Sequence, residues 1–260
     1  MTARLSLRFV ALAYLAGLLL VPIGLVFWRT FEHGLGPAWT AVSTPDARHA
    51  FWLTLEIAAI AVPLNTVFGV LCALAIVRRR FPGKGVLNAV VDLPLALSPV
   101  VVGLALFLLY GRGGWLAGLP WQILFALPSM VLATIFVSLP FVVREVVPVL
   151  REIGTEQEEA AATLGANGWQ VFRRVTFPAI RWAIAYGVVL TTARALGEFG
   201  AVSVVSGRIA GKTSTLTLRV QEQWESFDVT GAYAASVLLM LVAVATLVAL
   251  SVFKPKEETR

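Results

Sequence analysis

Arg194 and Glu198 are opposite charges four positions apart within a long apolar run of the sequence. On a helix this spacing places both side chains on one face, where they can form an ion pair. A lone charge near the middle of a bilayer is costly, so we expect both residues to face the protein interior or water. Two interpretations stay open. Either the pair holds helices together, or Arg194 helps an anion through the membrane while Glu198 orients or gates it.

A second candidate for function is the proline-containing run from Leu93 to Gly103, LPLALSPVVVG. Each proline in a membrane helix frees a backbone carbonyl, which needs a partner inside the protein or along a wet cavity. We therefore interpret Ser98 and Pro99 as part of a translocation path. The alternative is an ordinary proline-kinked helix that packs against its neighbours.

The polar stretch from Thr155 to Pro178 predicts two short helices joined by a tight turn. Thr155 and Glu158 have the spacing of a capping box, which satisfies the free backbone N–H groups at a helix start. Gly165 predicts the end of this first helix, because glycine adopts the left-handed conformation at little cost. The plainest interpretation of the pattern is an amphipathic surface helix pair without a partner.

The second helix of this pair is predicted to begin at Asn167, with Gln170 completing its cap. Its apolar residues recur at every third position: Trp169, Phe172 and Val175. Phe177 and Pro178 then predict an exit from the helix, because proline lacks a backbone N–H and restricts the residue before it.

The composition places the chain in a membrane. Of its 260 residues 58% are hydrophobic and 14% charged, against roughly 25% charged residues in soluble domains. A bilayer core about 30 Å thick needs about 20 apolar residues. The sequence has six such runs, at about Phe9 to Trp28, Ala50 to Val77, Val86 to Tyr110, Ile123 to Val147, Ile180 to Val205 and Gly231 to Phe253. We predict an all-α integral membrane protein with six transmembrane helices in a single domain, residues 1–260.

Lysine and arginine are unevenly distributed between the two sets of alternate loops. With the N-terminus inside, fourteen lie on the cytoplasmic side: Arg4, Arg8, Arg78, Arg79, Arg80, Lys84, Arg144, Arg151, Arg173, Arg174, Arg181, Lys254, Lys256 and Arg260. Six lie outside: Arg29, Arg48, Arg112, Arg208, Lys212 and Arg219. Because positive loops stay in the cytoplasm, both termini and a loop at about residues 152–179 are predicted to be cytoplasmic. The net charge of +6 follows from this bias and does not indicate nucleic acid.

The sequence offers no convincing catalytic site. Ser206 to Thr213, SGRIAGKT, approximates a nucleotide-binding P-loop, but it has serine where the pattern needs glycine, follows a membrane helix and lies outside. His33 and His49 lack the spacing of metal ligands. We expect no catalytic residue, no metal and no cofactor in this chain, so any ATP hydrolysis belongs to another polypeptide.

The spacing EAA, three residues, G, nine residues, V-x-F-P resembles the EAA loop of bacterial ABC-importer membrane subunits, with Val175 and Phe177 in place of isoleucine and leucine. In that family the loop is a coupling helix that docks in a groove of a cytoplasmic ATPase. The resemblance therefore implies a coupling site made of Glu159, Ala160, Ala161, Gly165 and Pro178. To these we add Trp169 and Phe172 from the apolar edge.

Two longer stretches are similar to membrane subunits of sulfate and thiosulfate importers: Ala193 to Leu218 and Val90 to Gly114. Within the first, RALGEFGA also resembles molybdate and tungstate importers, whereas the continuation GRIAGKT favours sulfate. The resemblance implies the type I ABC-importer permease fold in a bacterial plasma (inner) membrane, crossed several times.

The same resemblance implies partners for the chain. They are a second, homologous permease subunit, two cytoplasmic subunits that bind ATP and Mg, an extracytoplasmic sulfate-binding protein and the lipid membrane. The chain would form the path for sulfate or thiosulfate and couple it to the ATPase. A molybdate or tungstate permease is the first alternative. A secondary transporter or channel driven by an ion gradient, or a membrane anchor for an enzyme complex, are the others.

Overall fold

The computed structural model describes residues 2–118 and 122–252, which form α-helices and one π-helical turn but no strand. The first helices are α1 (Thr2–Phe31), α2 (Leu35–Ser43), α3 (Pro45–Arg78), α4 (Lys84–Ala96), α5 (Pro99–Tyr110), α6 (Leu127–Ser138) and α7 (Pro140–Glu152). The chain continues with α8 (Glu156–Thr163), α9 (Gly168–Val171), the π-turn (Phe172–Thr176), α10 (Phe177–Leu196), α11 (Gly200–Val205), α12 (Leu216–Glu225) and α13 (Val229–Val252). Over these residues the predicted all-α fold is confirmed. Outside the described residues lie Phe253, the predicted end of the last run, and the basic residues Lys254, Lys256 and Arg260.

Five helical segments are long and apolar enough to cross a membrane: Arg8–Phe31, Pro45–Arg78, Leu127–Glu152, Gly168–Leu196 and Val229–Thr246. A sixth crossing arises only if α4 and α5 are taken together, and their axes are bent by 112°. The predicted run from Val86 to Tyr110 is therefore not one continuous helix but two, which form either a broken span or a re-entrant loop. Leu97 and Ser98 are extended, because Pro99 lacks a backbone N–H and restricts the residue before it.

The fifth predicted run, Ile180 to Val205, is interrupted as well. Helix α10 ends at Leu196, and three non-helical residues precede the short helix α11. Glycines occur at positions 197 and 200. Glycine destabilises a helix interior because it loses more conformational entropy on folding than any other residue. The membrane domain thus contains two interrupted segments, α4–α5 and α10–α11.

Helix α3 is the longest element, with 34 residues, or about 50 Å at 1.5 Å per residue. Thr44 caps its start by accepting a bond from the Ala47 amide at 3.2 Å, and Pro45 occupies the first turn. A bilayer core is only about 30 Å thick. One or both ends of α3 therefore project beyond the membrane core, and its last residue is Arg78.

The helices α3, α7 and α10 meet around Val142, which is fully buried. A Cβ added at Gly69 would lie 2.7 Å from the Val142 Cβ, and one added at Gly187 would lie 2.9 Å from the Val142 Cα. Small residues let membrane helices approach this closely and gain packing energy. The part of α3 around Gly69 therefore packs closely against α7 and α10. These are the helices that flank the polar stretch between Thr155 and Pro178.

Candidate functional site

The first helix of the polar stretch, α8, forms as expected but without the predicted side-chain cap. Thr155 precedes it, yet its side chain makes no bond to the backbone and instead donates to Glu159 Oε1 at 2.7 Å. Glu158 forms an ion pair with Arg78 at the end of α3. The predicted capping box of Thr155 and Glu158 is therefore wrong, because the Glu158 carboxylate is held by a cation from another helix.

The turn after α8 follows the prediction. Gly165 adopts φ 87°, the left-handed conformation that ends the helix. Asn167 accepts a bond from the Gln170 amide at 2.9 Å, and the Gln170 side chain accepts one from the Asn167 amide at 2.9 Å. The second capping box is thus confirmed, and it sets the start of α9.

The predicted exit at Phe177 and Pro178 is wrong. Helix α9 passes through the π-turn directly into α10, and Pro178 lies in the first turn of α10. The Phe177 amide donates a hydrogen bond to the Phe172 carbonyl, five residues back. The wider π-turn therefore accommodates the proline without interrupting the helix. The result is a continuous helical segment, Gly168–Leu196, that runs from the polar stretch into the membrane domain.

The predicted coupling residues present an exposed surface. Glu159, Ala160, Gly165 and Pro178 are exposed, and Ala161 is partly buried. Trp169 is 67% exposed. Leu164, which sequence reasoning left out of the site, is 89% exposed beside Gly165. A large apolar side chain this exposed is a signal for a contact with another molecule.

The aromatic residues of this surface support one another. The Trp169 ring stacks on Phe172 with 5.6 Å between centroids, and Phe172 contacts Phe177 at 6.1 Å. Phe172 is partly buried against the core of α3, α7 and α10. Trp169 is therefore anchored through Phe172 to the membrane domain, although its own ring remains exposed.

The C-terminal end of α3 lies beside α8, at the same end of the helical bundle. Arg78 contacts α8, and Arg79 and Arg80 follow it directly. The distribution of lysine and arginine predicts that these three arginines and the polar stretch lie on the same, cytoplasmic side. The structure brings them together at one end of the helical bundle, as that topology requires.

Arg194 and Glu198 form the predicted ion pair, with 2.6 Å between Arg194 Nη1 and Glu198 Oε2. Glu198 does not lie on the same helix, because α10 has ended. Its Oε1 accepts the Ala201 amide at 2.8 Å and caps α11, while its carbonyl accepts the Thr217 hydroxyl at 2.8 Å. The Glu198 side chain is 2% exposed and that of Arg194 30%. Glu198 therefore holds the interruption in place, and only Arg194 reaches an accessible surface.

Ser98 and Pro99 lie at the other interruption, between α4 and α5, and Ser98 is exposed. The two interruptions touch. A Cβ added at Gly200 would lie 2.8 Å from the Pro99 Cβ, and one added at Gly103 would lie 2.6 Å from the Ala201 carbonyl oxygen. The structure thus brings together the two segments that sequence reasoning proposed for a path.

Asp92 and Arg144 lie in two different apolar runs of the sequence, the third and the fourth. In the structure Arg144 Nε donates to Asp92 Oδ1 at 2.7 Å, and its Nη2 contacts Oδ2, which links α4 to α7. Both side chains are partly exposed. The signal in the sequence that could have indicated this pair was a negative charge, Asp92, in one apolar run and a positive charge, Arg144, in the next. Across residues 2–118 and 122–252, no group of three His, Cys, Asp or Glu residues could hold a metal ion.

Residues 65–257 match the family model for "Binding-protein-dependent transport system inner membrane component". The chain is 53% identical over 248 residues to the "Sulfate transport system permease protein CysW" of Synechococcus elongatus, covering 94% of this chain and 87% of that protein. The protein of the same name from Escherichia coli is 52% identical over 236 residues, with 89% and 81% covered. The E. coli "Sulfate transport system permease protein CysT" is 39% identical over 252 residues, with 93% and 89% covered.

Solved structures with the same fold come from bacterial ABC transporters. A crystal structure of a transporter "involved in the import of the acidic polysaccharide alginate" superposes with a TM-score of 0.83 at 17% identity, covering 99% of this chain and 96% of that one. A second crystal structure, an alginate transporter with an "alginate pentasaccharide-bound periplasmic protein", has a TM-score of 0.79 at 18% identity, with 95% and 92% covered.

Proposed function

The chain belongs to the family of binding-protein-dependent transport system inner membrane components, and from this premise we propose that it is the membrane subunit of an ATP-driven sulfate importer. Its fold is that of type I ABC-importer permeases. The observation that carries the proposal is the continuous segment Gly168–Leu196, which joins an exposed docking surface to the Arg194–Glu198 pair. A continuous helical segment can carry a displacement from that surface to the interruption after α10.

The identity of 52–53% to sulfate permeases over about nine-tenths of the chain supports sulfate as the cargo and does not favour molybdate or tungstate. Thiosulfate, a divalent anion of similar shape, belongs to the same proposal. The two kinds of sulfate permease among the relatives, CysW and CysT, support a heterodimer with a second, homologous permease subunit.

The remaining partners are an extracytoplasmic sulfate-binding protein and two cytoplasmic ATPase subunits. The family description names binding-protein dependence, and a solved transporter of the same fold is in complex with a periplasmic protein. ATP and Mg are bound by the ATPase subunits. The membrane is the bacterial inner membrane.

Coupling begins at the surface formed by α8 and α9. Small side chains at positions 160 and 161 let the helix backbone enter a shallow groove of the ATPase, and the neighbouring residues complete the contact: Glu159, Gly165, Trp169, Phe172 and Pro178. When the ATPase pair closes on ATP, it draws the two permease surfaces together. The continuous helical segment Gly168–Leu196 then tilts, and its C-terminal end displaces the interruption at Glu198.

The translocation path lies where α4–α5 meets α10–α11. Arg194 offers positive charge to a sulfate ion, and Glu198 partly neutralises it, so the anion is passed on instead of being held tightly. Ser98 offers a hydroxyl, and Pro99 fixes the interruption from which it projects. A charged group within a membrane segment is tolerated where it faces a partner or water, which is consistent with the partial exposure of Arg194.

The test is uptake of labelled sulfate into vesicles that contain the complete complex, with the binding protein added outside and ATP enclosed at the ATPase side. We expect uptake to require hydrolysable ATP, to persist when ion gradients are collapsed, and to be reduced by thiosulfate but not by molybdate. Uptake that follows an ion gradient without ATP would establish a secondary transporter instead.

A further inference from the structure

Arg78 and Glu158 form a two-point contact between α3 and α8. Arg78 Nε lies 2.9 Å from Glu158 Oε2, and Nη2 donates to Glu158 Oε1 at 3.1 Å. The side chains are 14% and 19% exposed. Paired contacts between guanidinium and carboxylate are directional and stronger than a single ion pair. Partial burial shields this one from water, so it constrains the relative position of the two helices.

The same two side chains reach two further elements. Arg78 Nη1 donates to the Leu150 carbonyl near the end of α7 at 2.9 Å. Glu158 Oε1 also accepts the hydroxyl of Thr176, in the π-turn, at 2.8 Å. One arginine and one carboxylate thus connect α3, α7, α8 and the π-turn. The sequence distance between Arg78 and Glu158 is 80 residues.

Helix α8 has little else to hold it to the membrane domain. None of its residues is fully buried, so burial of apolar side chains contributes little to holding it in place. Glu158 points inward to Arg78, whereas the adjacent Glu159 is exposed. Consecutive residues, about 100° apart around a helix of 3.6 residues per turn, therefore face different directions, one toward the bundle and one toward solvent.

We propose that Glu158 and Arg78 are positioning residues that transmit movement of α8 into α3 and α7, separately from the residues that dock the ATPase. This inference rests on the proposed function, because it needs an ATPase that pulls on α8. We call the Arg78–Glu158 pair the joint. Without the joint, the ATPase still binds and hydrolyses ATP, but movement of α8 is not transmitted to α3 and α7. Loss of the joint therefore lowers transport per ATP and leaves docking intact.

The experiment uses the complete complex with the variants Glu158→Gln and Arg78→Lys, which keep side-chain size and reduce the two-point pair. The matched controls are Glu152→Gln and Arg80→Lys, exposed residues of the same charge at the same end of the molecule. Measured quantities are sulfate transported per ATP hydrolysed, stimulation of ATP hydrolysis by the binding protein, and the amount of ATPase that copurifies. We expect the transport ratio to fall at least about tenfold in the two joint variants, within the range of coupling between distant sites. Copurification and both controls stay at wild-type level.

A purely structural role would lower the amount of assembled complex and leave the ratio of transport to hydrolysis unchanged in what remains. That result, or a wild-type ratio in both joint variants, overturns the inference. Should neither single variant assemble, the double variant Glu158→Gln with Arg78→Gln decides: it removes the ion pair without leaving one charge unpaired, and a wild-type ratio there also overturns the inference. Wild-type complex without ATP-dependent uptake refutes the proposed function itself, so the two failures are distinguishable.

Discussion

Gly200 of α11 lies directly against Pro99 of α5, so closely that a Cβ at position 200 would be 2.8 Å from the proline Cβ. Each of these residues stands at the start of the second half of an interrupted segment. The contact therefore makes the two interruptions a single structural unit. Movement of α10 and α11 cannot leave α4 and α5 unaffected.

Gly200→Val tests this unit. The added methyl groups have no room beside Pro99, so we expect a loss of about 1–3 kcal/mol in stability, as for other overpacked sites, and a large loss of sulfate uptake. Thermal unfolding of the purified complex and vesicle uptake measure the two effects. Gly197→Ala is the control, because the nearest atom to its new Cβ is the Ala193 carbonyl oxygen at an ordinary 3.6 Å. Equal behaviour of the two variants would contradict the predicted contact.

Arg194→Gln leaves the buried Glu198 carboxylate without its cation. Removing one partner of a buried ion pair is expected to cost roughly 3 kcal/mol, although the partial exposure of Arg194 reduces that value. The double variant Arg194→Gln with Glu198→Gln removes both charges and keeps an oxygen that can cap α11. We therefore expect it to unfold at a higher temperature than the single variant. A double variant less stable than the single one would show that the pair does not act as a unit.

Neither variant is expected to transport sulfate normally, because both lack the positive charge that we propose Arg194 offers to the anion. Glu198→Gln alone leaves Arg194 without its neutralising partner. We expect this variant to bind sulfate more tightly and release it more slowly, which lowers both KM and the maximal rate of uptake. Unchanged kinetics in all three variants would remove Arg194 and Glu198 from the path.

Ala161→Trp places a large ring on the surface that we propose faces the ATPase. We expect the variant to enter the membrane in normal amounts, since the residue belongs to a helix without buried side chains, but to copurify with less ATPase and to lose uptake. Glu152→Trp, an exposed position just before α8, is the control for adding a large ring at this end. Normal uptake by Ala161→Trp would refute the coupling site.

Gly165→Ala tests the left-handed turn. Nothing lies within 4 Å of the added Cβ, so the expected cost is conformational only, about 1–2 kcal/mol for a residue other than glycine. Because α8 is held by few contacts, we expect faster hydrogen exchange in α8 and weaker ATPase binding. Gly168→Ala is the matched control, since its surroundings are also open and its φ is not positive. Identical exchange in both variants would contradict the prediction.

Local patterns predicted the local features well, and their failures share a cause. The cap at Asn167 and the stop at Gly165 depend on neighbours within a few residues, and both form as expected. The capping box at Thr155 fails because its carboxylate is taken by Arg78, and the exit at Pro178 fails because α10 continues from the π-turn. In each case a contact or a turn type outside the local pattern outweighs a modest local preference.

The sequence by itself determined the membrane class and the apolar runs, and it predicts the side on which the polar stretch lies, because hydrophobic length and the distribution of lysine and arginine act through composition alone. Only the tertiary structure decided which charges meet. Arg78 pairs with Glu158, and Asp92 pairs with Arg144 across 52 positions. Such pairs depend on how helices are packed side by side, and that packing is set by close approaches such as those of Gly69 and Gly187 on Val142.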